Sequence, residues 1–167
     1  MKQIILDLTK PNQTFEITED TEFLGLFVGR NSEQVETVLN VIHKNPELKS
    51  LTKIKAVVYD RANFDMEGKL IIETGARNTD SYLSIDVLLM GPDATARAVP
   101  SLEITEDDVK GGHGATVGQV DGDQLFYLQS RGLTHDQAER LLVEGFVQDF
   151  LRNVKSKQEL AKFKKML

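Results

Sequence analysis

The stretch KLIIETGARNTDSYLSIDVLLM, Lys69 to Met90, decides the fold class. Two apolar segments rich in β-branched residues, KLIIETG and YLSIDVLLM, flank the turn-forming residues GARNTD. In the second segment Leu83, Ile85 and Val87 alternate with polar residues such as Asp86, so one face is apolar and the other is partly polar. The pattern predicts two β-strands joined by a corner.

Similar segments recur from Lys2 to about Ile104. They are QIILDL, EFLGLFVGR, EQVETVLNVI and IKAVVYD, and turn-formers such as KPNQ, KNPE, MEG and GPDAT separate them. Their centres lie about 13 to 18 residues apart, without a residue-level repeat. This spacing suits either a β-sandwich or a solenoid whose turns each contribute a short strand to each sheet. The pattern argues against a parallel α/β sheet, because no helical pattern of useful length lies between the strands.

After Gly118 the apolar period becomes helical, which predicts a β body at residues 1–118 and a helical region at residues 119–167. Gly132 is expected to end the first of three helices. Each helix opens on a capping residue with Gln or Glu three positions later: Asp121 with Gln124, Thr134 with Gln137, and Ser156 with Glu159. The second helix is expected to bury a main apolar stripe of Ala138, Leu141, Leu142, Gly145, Phe146, Phe150 and Val154. A second apolar group beside it, Leu133, Val143 and Val147, is also expected to be buried in the same molecule, with a groove contact with a partner protein as the alternative.

Composition limits the class of protein. A length of 167 residues suits one main domain, and a net charge of −6 argues against a general nucleic-acid binder, because affinity for phosphates comes from Lys and Arg. The basic segment Arg152 to Leu167 is expected to be a solvated face, with a docking patch for an acidic partner as the alternative.

The absence of cysteine excludes disulfides and clusters held by the chain's own thiolates. No apolar segment is long enough for a signal peptide or membrane span, so we expect a cytoplasmic protein.

The stretch VKGGHGATVG, Val109 to Gly118, combines one histidine with four glycines. It lacks the Lys and Ser or Thr of a phosphate-binding loop, and no βαβ unit surrounds it. His113 is a candidate metal ligand near an acidic run, although alternation prevents all those carboxylates from converging. A metal enzyme using His113 with Glu103 or Asp108 is a further alternative. The expected turn glycines are Gly111, Gly112, Gly114 and Gly118; of the other histidines, His43 is expected in a turn and His135 on the surface.

The segment PSLEITEDDVKGGHGATVGQVDGDQLFYLQSRGLTHDQAERLLVEGF, Pro100 to Phe146, closely resembles the C-terminal signature of the SufB/SufD family of iron–sulfur cluster assembly proteins. The elements LEI, DDVK, HGATVG, LFYL and SRG follow in the order of the SufD-type branch. The resemblance extends over roughly Thr21 to Leu151 and includes the GA-x-x-T-D-x-Y turn at Gly75 to Tyr82. It identifies the chain as a shortened, cysteine-free, SufD-like homologue.

The resemblance implies a right-handed parallel β-helix followed by a short α-helical region. It also implies a non-enzymatic scaffold subunit of a SUF system, which pairs through its β-helix as a homodimer or with a SufB/SufD relative. In this family the helical region docks onto a SufC-type ABC ATPase. The resemblance places the partner-binding residues at Phe126, Tyr127, Arg131, Gly132 and Leu133.

The same resemblance places His113 at a subunit interface where iron or an iron–sulfur cluster is shared transiently with a partner. A cysteine often stands two positions before this histidine in SufD-type proteins, and here the residue is Gly111. The alternative is a degenerate β-helix protein-interaction module that binds no metal or cluster. Exposed solenoid ends require covers: we expect QIILDL to cover one end and the helical tail the other, with a dimer seam near YLSIDVLLM.

Overall fold

Nine parallel strands and three helices make up the structure. The computed structural model describes all residues, Met1–Leu167. The strands are β1 (Lys2–Ile5), β2 (Asn12–Ile17), β3 (Thr21–Gly29), β4 (Gln34–His43), β5 (Lys49–Val58), β6 (Asn63–Ile72), β7 (Asp80–Leu89), β8 (Thr95–Ile104) and β9 (Lys110–Gln119), and the helices are α1 (Gly122–Ser130), α2 (His135–Asn153) and α3 (Lys157–Met166).

Successive strands alternate between two sheets. Sheet A has the order β1-β3-β5-β7-β9 and sheet B the order β2-β4-β6-β8, and every neighbouring pair is parallel. The mainly β, parallel solenoid implied by the resemblance is therefore confirmed, and the sandwich alternative is wrong. Parallel pairing requires the chain to cross to the other sheet between partners, which each solenoid turn does.

Inward-facing side chains stack in columns along the solenoid. Gly25, Ile54 and Ile85 occupy matching positions on β3, β5 and β7, and both isoleucines are fully buried. Six segments predicted as strands correspond to β1 and β3 to β7. Strands β2, β8 and β9 were not predicted from strand patterns, because polar residues interrupt the first two and glycines the third. In such strands, hydrogen bonding to the strand of the neighbouring solenoid turn stabilises an extended conformation that local propensity does not favour.

The histidine predicted in a turn, His43, is instead fully buried inside the solenoid at the end of β4. Its Nε2 lies 2.8 Å from the Ser50 hydroxyl, which in turn lies 2.5 Å from the Ser81 hydroxyl. The Nδ1 atom of His43 is buried without a hydrogen-bond partner. Burial lowers the pKa of His43 to about 4, because a charged imidazole is disfavoured away from water. Period-two alternation places His43 on the apolar face of its strand, and this signal was available in the sequence.

The two ends of the solenoid differ. At the first turn Leu6 and Leu8, which follow β1, are almost fully buried in the core, as expected for a cover formed by QIILDL. The strand containing YLSIDVLLM is β7, which pairs with β5 on one side and β9 on the other, so the seam predicted there is wrong. The free edges of the last turn belong to β8 and β9.

The helical tail packs on the outer face of sheet A and does not cover the last turn. Val143, Val147 and Phe150 of α2 and Phe163 of α3 are buried against sheet residues such as Leu24. The predicted caps are confirmed: Asp121, Thr134 and Ser156 accept backbone hydrogen bonds, and Gly132 has a φ of 100°. None of the helices is long and apolar enough to cross a membrane.

The predicted main stripe of α2 is partly wrong. Leu141 is 48% exposed and Gly145 is also exposed, whereas Val143 and Val147 from the second apolar group are buried. Both faces of α2 carry apolar residues, and the helix buries the face that packs against the sheet. The choice between the two faces therefore depends on packing.

One charged side chain joins α2 to sheet A. Lys55 projects outward from β5, and its side chain is only 14% exposed. Its Nζ lies 3.4 Å from Asp86 of β7, 3.8 Å from Asp149 of α2 and 4.3 Å from the centre of the Phe146 ring. These contacts compensate the ammonium group for the water that it loses at the helix–sheet junction.

Candidate subunit and partner interfaces

The last turn of the solenoid, β8 with β9, exposes positions that every earlier turn buries. Phe27, Ala56 and Val87 form one inward-facing column, and all three are nearly fully buried. Val117 is stacked next in that column and is 43% exposed, because no further strand follows β9. We call this surface, formed by the free edges and inward-facing residues of β8 and β9, the open end.

The free edge of β9 carries unpaired backbone groups. Lys110 and Val120 donate their N–H groups to carbonyl oxygens of Thr79 and Leu89, beside β7. Because successive residues of a strand point their N–H groups to opposite sides, the odd-numbered residues of β9 point theirs to the free edge. These residues are Gly111, His113, Ala115, Val117 and Gln119. Such an edge is a template for another strand.

The free edge of β8 is similar but interrupted. Thr95 and Thr105 donate to the carbonyl oxygens of Ala62 and Ile72, so the even-numbered residues of β8 face the free edge. One of these is Pro100, which has no N–H group to donate. Sheet A therefore offers the more complete hydrogen-bonding edge of the two.

His113 lies on β9 at the open end, with an exposed side chain on the inward face. It is stacked on Leu83 of β7 in the parallel register. Of the carboxylates considered with it, that of Glu103 pairs with Lys69 at 3.3 Å on the outer face of sheet B. Asp108 lies in the corner before β9, where its backbone carbonyl accepts a hydrogen bond from the N–H group of Asn78. No group of three or more His, Cys, Asp or Glu residues is placed to hold a metal ion.

The acidic run before His113 serves a corner of the solenoid. Glu106 accepts a hydrogen bond from the N–H group of Gly75 at 2.8 Å, and Gly75 has a φ of 100°. This bond, with others from the backbone of Asp107 and Asp108 and the nearby charge of Arg77, lowers the pKa of Glu106. The run therefore stabilises a turn and supplies no ligand beside His113.

The four glycines predicted in turns all lie within the strand β9, so the turn assignment is wrong. A Cβ atom on Gly112 would lie 2.8 Å from the Tyr82 ring, and one on Gly114 would lie 2.9 Å from the Tyr82 hydroxyl. These two glycines leave room for the Tyr82 ring to lie across the outer face of β9. A Cβ atom on Gly111 would lie 2.7 Å from Ile104 Cδ1, whereas Gly118 has open space.

The residues predicted to bind a partner lie together on α1 and the turn that follows it. Phe126 is 73% exposed and Tyr127 is 55% exposed. The Arg131 guanidinium lies 5.2 Å from the centre of the Tyr127 ring. Gly132 supplies the left-handed turn before Leu133, which is half-buried. We call these five residues the helical patch.

Helix α1 itself has no buried residue. An amphipathic helix normally buries its apolar stripe against its own protein. Phe126 and Tyr127 are therefore available for contact with another molecule, and contiguous exposed apolar residues commonly mark interaction sites. The exposed large apolar residues of the chain, apart from Met1 and Met166, fall into two groups: Tyr82, Val99, Ile104 and Val117 around the open end, and Phe126, Tyr127 and Leu141 on α1 and α2.

A groove of about 860 Å³ lies between α2 and α3, away from both surfaces. Arg30 and Tyr59 from the solenoid corners line it, with the Arg30 guanidinium 4.4 Å from the centre of the Tyr59 ring. Acidic residues such as Glu139 and basic residues such as Lys164 both line its walls. The groove has no uniform charge that would select an anion or a cation.

The surfaces do not by themselves fit an iron–sulfur cluster. Cysteine thiolates are the usual ligands of such clusters, and this chain offers a single exposed imidazole at the open end. Any cluster at this position would need ligands from another chain. The arrangement instead leaves two groups of large apolar residues exposed.

Comparison with known proteins gives a consistent result. The family model described as "SUF system FeS cluster assembly, SufBD core domain" matches residues 12–146. An iron–sulfur cluster assembly SufBD family protein of Mycobacterium leprae is 34% identical over 143 residues, which are 81% of this chain and 36% of that protein. A SufBD family protein of Mycobacterium bovis is 34% identical over 77% of this chain and 15% of its own length.

The iron–sulfur cluster assembly protein SufD of Escherichia coli is 37% identical over 109 residues, 64% of this chain and 26% of that protein. The chain thus spans between 15% and 36% of the length of these curated relatives. The matched residues include most of the solenoid, α1 and the first part of α2.

Proposed function

This chain belongs to the SufBD core family of the SUF system for iron–sulfur cluster assembly, and from that premise we propose that it is a non-enzymatic scaffold subunit of such a system. The subunit dimerises through the open end of its solenoid and binds a SufC-type ABC ATPase through its helical patch. The observation that carries the proposal is the separation of the exposed apolar residues into these two surfaces.

Dimerisation is supported by the contrast between the two ends of the solenoid. The edge strands of the first turn, β1 and β2, have only four and six residues and are followed or preceded by the buried Leu6 and Leu8, whereas the last turn has two ten-residue strands with free edges. A free strand edge in a stable protein is normally blocked or paired. Sedimentation over a range of protein concentrations measures the association. A Val117→Lys substitution, which places a charge on the open end, should shift the protein to the monomer, and Leu141→Lys on α2 is the matched control.

ATPase binding is supported by the exposure of Phe126 and Tyr127. Aromatic residues and arginine are enriched among the residues that dominate binding energy, and the helical patch has two aromatics and Arg131. The chain should co-elute with a co-expressed SufC-type ATPase in size-exclusion chromatography. A Phe126→Ser, Tyr127→Ser double variant should lose this complex, while Val99→Ser on the outer face of β8 should retain it. Retention of the complex by the double variant would exclude the helical patch as the docking site.

His113 is proposed to contribute one ligand to iron or a cluster that passes through the interface as cargo. Because this chain has no cysteine, the other ligands come from a cysteine-bearing SufB/SufD relative. Anaerobic mixing of the two proteins with iron and sulfide should give visible absorption that decreases in His113→Ala. Equal absorption in both proteins would remove His113 from the proposal without affecting the dimer.

The alternative function is a β-helix interaction module that binds no metal or cluster. The donor set at the open end favours it as a second candidate, because one imidazole is a weak site for iron. In this case the mixture gains no absorption with or without His113, while the dimer and the ATPase complex are retained.

A further inference from the structure

The groove between α2 and α3 follows one face of α2 over most of that helix. The residues of α2 that line it begin at Asp136, end at Arg152 and recur at steps of one, three and four positions. At 1.5 Å per residue this face is about 24 Å long. Leu160 and Lys164 of α3, with Leu167 just after that helix, form the opposite wall. The groove therefore matches the length of a helix of about 16 residues.

The apolar residues in the groove are only partly covered. Val143 is buried, whereas Leu151, Leu160 and Leu167 keep part of their surface exposed. These three leucines pack against the apolar cluster between the helices and sheet A, which fixes their positions. A row of partly exposed leucines between two helices is a surface that the apolar face of a third helix can cover.

Each acidic residue that lines the groove already has a favourable neighbour. Glu144 pairs with Arg140 at 3.0 Å, and Glu139 lies 3.3 Å from the Nε2 atom of His135. Asp136 lies in the first turn of α2, where the helix dipole stabilises a negative charge. The acidic residues of the groove are therefore poor sites for a cationic ligand.

Three basic residues of the groove, in contrast, pair with no carboxylate. They are Arg30, Arg152 and Lys164. The Arg30 guanidinium lies over the Tyr59 ring and donates a hydrogen bond to the Leu167 carbonyl oxygen at 3.2 Å. The lining charge is mixed, but the unpaired part of it is positive. Charge complementarity thus favours an anionic partner.

The shape of the groove distinguishes between classes of anionic partner. A nucleic acid offers phosphates without an apolar stripe, and the net charge of −6 of the chain opposes its binding. A lipid bilayer presents a broad surface, whereas the exposed leucines lie in a groove between two helices. An amphipathic helix offers both an apolar stripe and carboxylates on its flanks.

We propose that the groove between α2 and α3 binds an acidic amphipathic helix of a partner protein. The apolar stripe of this helix lies on Leu151 and Leu160, and its carboxylates lie beside Arg152 and Lys164. The site is separate from the open end and from the helical patch, and it does not depend on either proposed interface.

Fluorescence anisotropy with the full chain tests the site. The probe is a labelled alanine-based peptide of about 16 residues, with leucine at steps of three and four positions and glutamate on both flanks. One control peptide has the same composition in scrambled order, and the other has lysine in place of each glutamate. The probe should bind about tenfold more tightly than either control. No binding of the probe, or equal binding of the scrambled peptide, would overturn the proposal.

Two neighbouring lysines of α3 provide a matched pair of variants. Lys164 lines the groove, whereas Lys165 is exposed outside it. Lys164→Glu should weaken binding of the probe about fivefold or more, because it removes one attraction and adds a repulsion. Lys165→Glu changes the net charge equally and should change binding by less than about twofold. Equal losses in the two variants would show recognition by a diffuse basic surface and would overturn the proposal.

A substitution that fills the groove separates the possible occupants. Gln148 is exposed and lines the groove, so Gln148→Trp should keep the circular dichroism spectrum of the wild type and lose the probe. Its self-association and its complex with a SufC-type ATPase should match those of the wild type. Loss of self-association would assign the groove to a second copy, and loss of the complex would assign it to the ATPase. Either result, or tighter binding of an oligonucleotide than of the probe by the wild type, would overturn the proposal.

Discussion

Acidification should destabilise this protein through His43. The imidazole is fully buried, with Nε2 hydrogen-bonded to Ser50 and Nδ1 unpartnered, and burial lowers its pKa from 6.5 to about 4. Above pH 6.5 both the folded and the unfolded states hold a neutral imidazole. Between pH 6.5 and 4 the unfolded state binds a proton that the folded state does not, so the free energy of unfolding falls as the pH falls.

The magnitude follows from the pKa difference. One pKa unit corresponds to about 1.4 kcal/mol, so protonation linked to His43 should remove about 3 kcal/mol of stability by pH 4. Urea unfolding at constant ionic strength, in steps from pH 7.5 to 4.5, measures this loss. His43→Gln keeps a hydrogen-bonding group beside Ser50 and does not titrate, so the difference in stability between wild type and this variant should change with pH.

The control is His135→Gln, since His135 lies at the start of α2 with a side chain that is 58% exposed. This variant lacks an exposed imidazole beside Glu139 and keeps His43, so it should retain the fall in stability that is linked to His43. Carboxylates common to the compared proteins also titrate near the acid end of the range, and their contribution cancels in the difference between wild type and His43→Gln. If the free energies of wild type and His43→Gln differ by the same amount at every pH, the reasoning about His43 is refuted.

Three other predictions concern packing. Phe150→Ala removes a fully buried ring from the contact between α2 and sheet A, and should lower the free energy of unfolding by about 3–5 kcal/mol in chemical denaturation. Gly112→Ala should lower the melting temperature because its Cβ meets the Tyr82 ring at 2.8 Å, whereas Gly118→Ala, with open space, should not; equal melting temperatures would contradict the assigned role of the ring. Lys55→Gln should destabilise the helix–sheet junction by about 1 kcal/mol, and added salt should weaken the wild type more than the variant.

Local patterns in the sequence were sufficient for much of the fold. Alternation predicted the strand β7, and the capping pairs predicted all three helix starts, because both depend on residues close together in the chain. Neither pattern depends on which solenoid turn is stacked on the segment. The order of strands before helices predicted a β body with a helical tail, and the resemblance of Pro100 to Phe146 to the family signature then selected the solenoid over the sandwich.

The strand β9 shows where local reasoning fails. VKGGHGATVG has the composition of a turn, yet it forms ten residues of strand because β7 supplies a complete hydrogen-bonding edge. The role of its glycines is not evident from their spacing. Two of them, Gly112 and Gly114, accommodate the ring of Tyr82, which lies 30 and 32 positions earlier in the chain. Tyr82 was part of a recognised turn motif, but its contact with β9 requires the register between turns.

The two candidate surfaces also differ in whether the sequence predicted them. The helical patch was predicted from the family resemblance, and its aromatic residues Phe126 and Tyr127 are exposed on α1. The open end was not predicted: the dimer seam was expected at the segment that forms β7, because a sequence does not state which strand is last in a sheet. On α2 the predicted main stripe was partly wrong, because the outer face of sheet A buries Val143 and Val147 of the second apolar group and leaves Leu141 exposed.

By itself the sequence determined the strand-rich body, the three capped helices, the absence of thiolate ligands and the family to which the chain is similar. Each of these follows from residue types and short spacings. Only the tertiary structure decided that His113 stands exposed on the last strand and that the Tyr82 ring lies across the outer face of β9. These facts depend on how turns stack about 30 residues apart, a distance over which local preferences carry no information about contact.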